Sequence, residues 1–232
     1  MCGIAGIVNR SDEPASEETL RVMTRMLAHR GPDGDGVHCE GPVGFGHRRL
    51  AVLDLSPAGA QPMKSADGQL WITYNGEIFN FRELRALLES RGHRFRSRTD
   101  TEVILAAYQE WGHDCLARFN GMFAFALWDA RKQTVWLVRD RLGVKPLFYT
   151  VQPTYLAFAS EIKGILPVLT EPPGLNEEAL HHFLSLNYVP APQTLFAGIT
   201  QLLPGHYLLC RRGATPRHIL NRCSPMRCGC GL

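Results

Sequence analysis

A layered α+β domain, built of antiparallel strands with helices on their faces, is what this 232-residue sequence predicts. Three observations carry the prediction. Short apolar runs are separated by polar, Gly or Pro turns, as in antiparallel meanders. Two amphipathic helical segments of similar length lie side by side between such runs. Strands and helices do not alternate one for one, as βαβ units would require. With 45% hydrophobic and 20% charged residues, the chain has the composition and length for one large core.

Each element has a local reason. Residues 4–8 are an apolar strand, and Ser16-Glu17-Glu18 then places a cap and two acids before Leu20, Met23 and Leu27 at helical spacing. Residues 43–46, 49–54 and 70–74 read as strands, with Asn75-Gly76 a turn signal closing the third. Asn80-Phe81-Arg82-Glu83 resembles a capping box, Leu84, Leu87 and Leu88 form the buried stripe, and Gly92 suits the helix end. Val103, Ile104, Ala107, Tyr108 and Trp111 repeat the pattern up to Gly112. Residues 122–128, 134–139, 147–151 and 155–159 form a block of strands, with Trp128 and Trp136 in their core pattern. A last short helix begins at Asn176-Glu177-Glu178 and ends near Phe183, and residues 188–192, rich in Pro, are an extended linker.

Composition excludes several classes of function. The longest wholly apolar run, residues 122–128, is far short of the roughly 20 residues that span a bilayer, so no membrane role is expected. The start lacks a basic leader and cleavage site, which places the chain in the cytoplasm. The net charge of +3 comes from residues 210–232, where five Arg stand with no acid, and the remainder carries 20 basic and 22 acidic residues. No basic stripe marks a nucleic-acid partner. Four of the seven cysteines (Cys210, Cys223, Cys228, Cys230) lie in that same segment, and Cys2, Cys39 and Cys115 form no disulfide framework. His29, His38, His47 and the pair His181-His182 lack ligand spacing, and no metal is expected.

Chemistry concentrates at the start of the chain. Loss of Met1 would leave Cys2 with both a thiol and a free α-amine, so that nucleophile and base share one residue. The thiol titrates near roughly 8.5 and the amine near roughly 7.8, which lets the amine take the proton close to neutral pH. An incidental cysteine at a frayed terminus is the bland alternative. Gly3 and Gly6, flanking a strand that would anchor the terminus, suggest close backbone approach by a substrate.

Residues 1–7 (Met-Cys-Gly-Ile-Ala-Gly-Ile), 30–34 (Arg-Gly-Pro-Asp-Gly), 46–50 (Gly-His-Arg-Arg-Leu), 74–78 (Tyr-Asn-Gly-Glu-Ile) and 99–104 (Thr-Asp-Thr-Glu-Val-Ile) occur in order. Together with residues 139–149, 158–163 and 203–206, they make the chain resemble class II glutamine amidotransferases, and asparagine synthetases most closely. The resemblance covers about residues 1–209 and implies the N-terminal nucleophile hydrolase fold, a four-layer αββα sandwich. It implies L-glutamine as substrate and Cys2 as nucleophile. Asn75 and Gly76 would form the oxyanion hole, although locally they read as a plain turn. Arg49, Asp100 and Glu77 would bind substrate: Arg49 as a fork for the α-carboxylate, with Arg48 its solvated neighbour, and Asp100 for the α-ammonium unless it only caps its helix. Arg30, Leu50 and Val52 take supporting places, Arg30 orienting the cysteine region although its turn cluster reads as a surface loop. Residues 61–63 match a loop near the pocket.

Asparagine synthetases carry a second, ATP-dependent domain that adenylates aspartate. No Ser-Gly-Gly-x-Asp-Ser stretch is present here, so no cofactor is expected in this chain; ATP and magnesium belong to the missing synthetase domain. The expected organisation is a glutaminase domain over residues 2–209 and a divergent basic, Cys-rich tail over 210–232, disordered or the product of a frameshift. A separate synthetase domain or subunit would then receive the ammonia, and a homodimer is left open. The alternatives are a class II amidotransferase with a different, separate acceptor subunit, or a non-enzymatic remnant.

Overall fold

A computed structural model of the chain describes residues 1–211 and 216–220. Two six-stranded antiparallel sheets lie face to face. The first has the order β10-β8-β9-β1-β3-β2, formed by β10 (Ile199–Gln201), β8 (Phe148–Val151), β9 (Tyr155–Ala159), β1 (Gly3–Asn9), β3 (Val43–Arg49) and β2 (Gly34–Glu40). The second has the order β12-β11-β7-β6-β5-β4, formed by β12 (Arg217–Leu220), β11 (His206–Arg211), β7 (Thr134–Arg139), β6 (Gly121–Asp129), β5 (Leu70–Ile78) and β4 (Met63–Lys64). Helix α1 (Glu17–Arg25) covers the outer face of the first sheet, and α2 (Phe81–Ser90) and α3 (Asp100–Trp111) cover the second. This is the four-layer αββα arrangement. A further helix, α4 (Glu177–Leu186), precedes β10 and stops at Asn187, whose φ of 60° ends the helical ladder.

Strand periodicity builds three apolar layers. On β1, Ile4 and Val8 point between the sheets, while Ala5 and Ile7 point out to Leu20, Met23 and Leu27 of the α1 region. On β6, Ala124, Ala126 and Trp128 face the first sheet, while Phe123, Phe125 and Leu127 pack under α2 and α3. Phe45 and Phe158 meet edge to face between the sheets at 5.9 Å. Trp136 is fully buried, and Trp111 packs against the same layer.

Three expectations need correction, and one strand lies outside them. Residues 49–54 are not a strand: after Arg49 the chain leaves the sheet, and Arg49 Nη1 and Nη2 take the carbonyls of Ser56 and Asp54 that a neighbouring strand would otherwise take. Asn75-Gly76 is not a turn, because β5 continues to Ile78, paired with Gly121 of β6. Strand β2 escaped the sequence pattern, since an edge strand with two glycines and half-exposed side chains shows no apolar alternation. The boundary at 209 cuts through β11, which runs on to Arg211 with Cys210 buried between the sheets and pairs with β12, so the ordered domain extends beyond Leu209. Cys223, Cys228 and Cys230 lie outside the described residues.

Candidate active site

Strand β1 delivers Cys2 to the edge of a cavity of about 210 Å³ lined by Cys2, Arg49, Tyr74, Asn75, Glu77 and Asp100 among others. Gly3 pairs with Arg48 of β3, so the chain just past Arg49 runs beside Cys2. The Cys2 thiol donates to the Leu50 carbonyl at 3.6 Å, and the Leu50 N–H reaches the sulfur at 3.4 Å. Leu50 therefore contributes through its backbone. Val52 is exposed at the rim. Burial raises the thiol above its usual range, opposed by the Leu50 N–H, the chain-terminal ammonium and Arg49, and reinforced by Asp100.

Arg30 fixes the cysteine from behind. Its Nε donates to the Cys2 carbonyl at 2.9 Å, and its Nη1 pairs with Glu161 at 2.7 Å. Only part of the segment is a surface loop: Pro32 and Asp33 are exposed, but Arg30 and Gly31 are buried, and a Cβ on Gly31 would come within 2.4 Å of the Arg48 backbone. Gly3 and Gly6 likewise make room for protein, not substrate; a Cβ on Gly6 would strike the Phe158 ring at 2.3 Å. Ser160 ties β1 down at Ile4, accepting from its N–H at 3.0 Å and donating its own N–H to its carbonyl at 2.8 Å.

Strand β5 supplies the facing wall. By alternation, Thr73, Asn75 and Glu77 point toward the first sheet and the cavity. Asn75 is 1% exposed, and among the described residues its Nδ2 has no hydrogen-bond partner. A buried amide donor left unpaired costs about 1–3 kcal/mol, so this nitrogen is set for an acceptor. Phe123, opposite Gly76, spends its N–H and carbonyl on Asp140. The Gly76 N–H is thereby turned to the side where the Tyr74 N–H meets Gln61 Oε1 at 2.7 Å and the Ile78 N–H meets Asp100 at 2.9 Å.

Asp100 is the first residue of α3; the cap is Thr99, which accepts from the Glu102 N–H, so Asp100 is not the N-cap. Its Oδ2 accepts from the Tyr74 hydroxyl at 2.6 Å and from Ile78. Burial raises its carboxyl above the usual range, against the pull of those two donors. Tyr74 is pushed well above the usual phenol range by burial and by Asp100, so it stays a donor. Arg49 and Asp100 thus bring opposite charges to one cavity. Arg48 points to the other face, where Nε donates to the Thr24 carbonyl at 3.1 Å; it is half-buried, not solvated.

Tyr74, Gln61, Lys145 and Glu161 had no assigned part in the sequence reading. Tyr74 and Glu161 sit in recognised motifs, but which groups they touch depends on strands distant in sequence. Among the described residues, no group of three or more His, Cys, Asp or Glu is arranged for a metal ion. No helix among them is long and apolar enough to cross a membrane.

The sequence profile of the glutamine amidotransferase domain matches residues 1–219. Asparagine synthetase [glutamine-hydrolyzing] 1 of Bacillus subtilis is 39% identical over 208 residues, 88% of this chain and 33% of that protein. Asparagine synthetase [glutamine-hydrolyzing] 3 of the same organism is 42% identical over 212 residues, 90% of this chain and 34% of that protein. The chain thus spans about a third of the length of these curated relatives. In fold it matches the glutamine phosphoribosylpyrophosphate amidotransferase of Bacillus subtilis, with a TM-score of 0.69 at 19% identity, covering 95% of this chain and 49% of that one. The fold is that of the N-terminal nucleophile hydrolases, and the chain belongs to the class II glutamine amidotransferase domain family.

Proposed function

We propose that this chain hydrolyses L-glutamine to glutamate and ammonia through a thioester on Cys2, which becomes the N-terminal residue when Met1 is removed. The observation that carries the reading is the pairing, in one cavity, of the Cys2 thiol with the unpartnered amide of Asn75. In this reading the α-amine takes the thiol proton and the sulfur attacks the side-chain amide carbon. The developing oxyanion is met by Asn75 Nδ2 and the Gly76 N–H. The amine passes the proton to the departing nitrogen and ammonia leaves. Water, deprotonated by the same amine, then cleaves the thioester and releases glutamate. Arg49 takes the α-carboxylate, Asp100 and Glu77 the α-ammonium, and Arg30 holds the Cys2 backbone in line.

The ammonia would pass to an amide-forming domain or subunit in the cytoplasm, in keeping with the relatives' name of asparagine synthetase. ATP and magnesium would act there. The test is an intact mass lacking Met1, together with glutamine turnover and labelling by an electrophilic glutamine analogue. Both activities should vanish in Cys2→Ala. Label retained on Cys39 or Cys115 in that variant would overturn the assignment.

A further inference from the structure

Lys145 lines the same cavity, and the proposed hydrolysis leaves it without a task. It is 6% exposed. Its backbone is pinned on both sides: its N–H donates to Asp140 Oδ2 at 3.0 Å, and its carbonyl accepts from Arg139 Nε at 2.9 Å. The Asp140 carboxylate also accepts from the N–H groups of Phe123, Leu142 and Val144, so the loop is wound around one buried anion. Among the described residues, the ammonium itself reaches a single partner, the Met1 thioether sulfur at 3.2 Å. A thioether is a weak acceptor, and a buried cation with so poor a partner is costly. The fold therefore holds an ammonium rigidly against the space that Met1 fills.

Resting on the proposed loss of Met1, we infer that Lys145 is a positioning residue whose charge acts on the Cys2 terminus. The ammonium reaches the side chain of Met1, the residue bonded to the Cys2 nitrogen that loss of Met1 frees as the α-amine. A neighbouring cation disfavours a protonated amine, so more of the amine stands neutral and ready to accept the thiol proton near neutral pH, and it favours the thiolate that the transfer leaves behind. The transferred proton still runs from thiol to amine to leaving nitrogen. Other charges face the cavity. Arg49 on β3 acts in the same sense, whereas Glu77 on β5, Asp100 on α3 and Asp54 in the loop after β3 act in the opposite one. The Asp140 carboxylate accepts from backbone N–H groups and, among the described residues, makes no ion pair with the ammonium.

The experiment is the pH profile of kcat/KM for the Met1-free wild type, Lys145→Met and Lys145→Arg, with melting curves to establish folding. The acid limb of Lys145→Met should move up by about 0.5 to 1 pH unit, the scale of one screened charge at this range, while Lys145→Arg keeps the wild-type limb. The pH dependence of Cys2 alkylation by iodoacetamide should move in the same direction. A limb that superimposes on wild type, whatever the plateau does, would overturn the inference, as would an equal shift in Lys145→Arg. If the methionine variant does not fold, Lys145→Gln removes the same charge and is judged by the same limb. Wild-type protein without Cys2-dependent turnover would sink the hydrolytic reading and this inference with it; turnover with an unmoved limb sinks this inference alone.

Discussion

Arg30 joins the Cys2 carbonyl to the Glu161 carboxylate, so the residue bearing the thiol is tethered to the chain just beyond β9, 159 positions away in sequence. Glu161 is partly buried, which by itself would raise its pKa, but Arg30, His29 and Lys163 together hold it at about 2. Glu161→Gln leaves Arg30 buried without its counter-ion, and about 1–3 kcal/mol of stability should be lost, less than for a fully buried pair. The sign follows from linkage. A depressed carboxyl stabilises above its unfolded value near roughly 4.3, and the contribution is lost as pH falls from there toward about 2. Urea unfolding at pH 7 should separate variant from wild type, and the gap should close near pH 2.

Asn75→Ala removes a donor matched to the transition state. It should lower kcat by about a hundredfold or more and leave KM within a few fold. Arg49→Gln should do the reverse, raising KM, and it should also lower the melting temperature because Arg49 holds the Asp54 and Ser56 carbonyls. Exchanged kinetic signatures would contradict both assignments.

Asp100→Ala strips the acceptor from the Tyr74 hydroxyl and the Ile78 N–H, and should destabilise by about 1–3 kcal/mol as well as raise KM. Asp100→Asn keeps an acceptor oxygen and should recover much of the stability but not the KM. Thr99→Ala, which removes the true cap, should cost about 0.5–2 kcal/mol with KM unchanged. Melting curves beside steady-state kinetics separate the three.

His47 is fully buried between the sheets, its Nδ1 at 3.2 Å from the Thr73 hydroxyl, which itself donates to the Gly46 carbonyl. Burial, with Arg49 adding to it, depresses the imidazole to about 3. The folded protein therefore holds His47 neutral while the unfolded chain protonates it below roughly pH 6.5. Stability from this group is full above that value and falls by about 1.4 kcal/mol per unit as pH drops toward about 3. His47→Gln should be less stable at pH 7 yet show a flatter stability profile between pH 6 and 4. An unchanged slope would show that His47 does not govern acid sensitivity.

Truncation after Leu209 removes Cys210, buried between the sheets, and the whole of β12, whose His218 Nε2 lies 2.6 Å from the Tyr149 hydroxyl. It should cost about 1–3 kcal/mol and lower the melting temperature. Truncation after Leu220 keeps both strands and should melt above the shorter form. Equal melting for both would mean that β11 and β12 add nothing beyond Leu209.

The sequence by itself determined the elements whose signal is local. Helices α1, α2 and α3 and strands β6, β7 and β9 lie where side-chain periodicity puts them, because burial of one face is written at a spacing of 3.6 or 2. Cys2, Arg49, Asn75, Gly76 and Asp100 were legible as an ordered set of motifs. Only the tertiary structure decided what those residues touch. Asn75-Gly76 has the composition of a turn, yet lies within β5 because β6 pairs alongside as far as Ile78; a Cβ on Gly76 would sit 2.3 Å from the Met122 carbonyl. Asp100 has the composition of a cap, yet Thr99 takes that place and frees its carboxylate for Tyr74. The Arg30–Glu161 tether, the Ser160 clasp on Ile4 and the burial of Lys145 join segments more than 100 residues apart. No spacing rule reaches that far, because such contacts are set by which strands neighbour one another in the sheets, and that order is decided by packing the two apolar faces together.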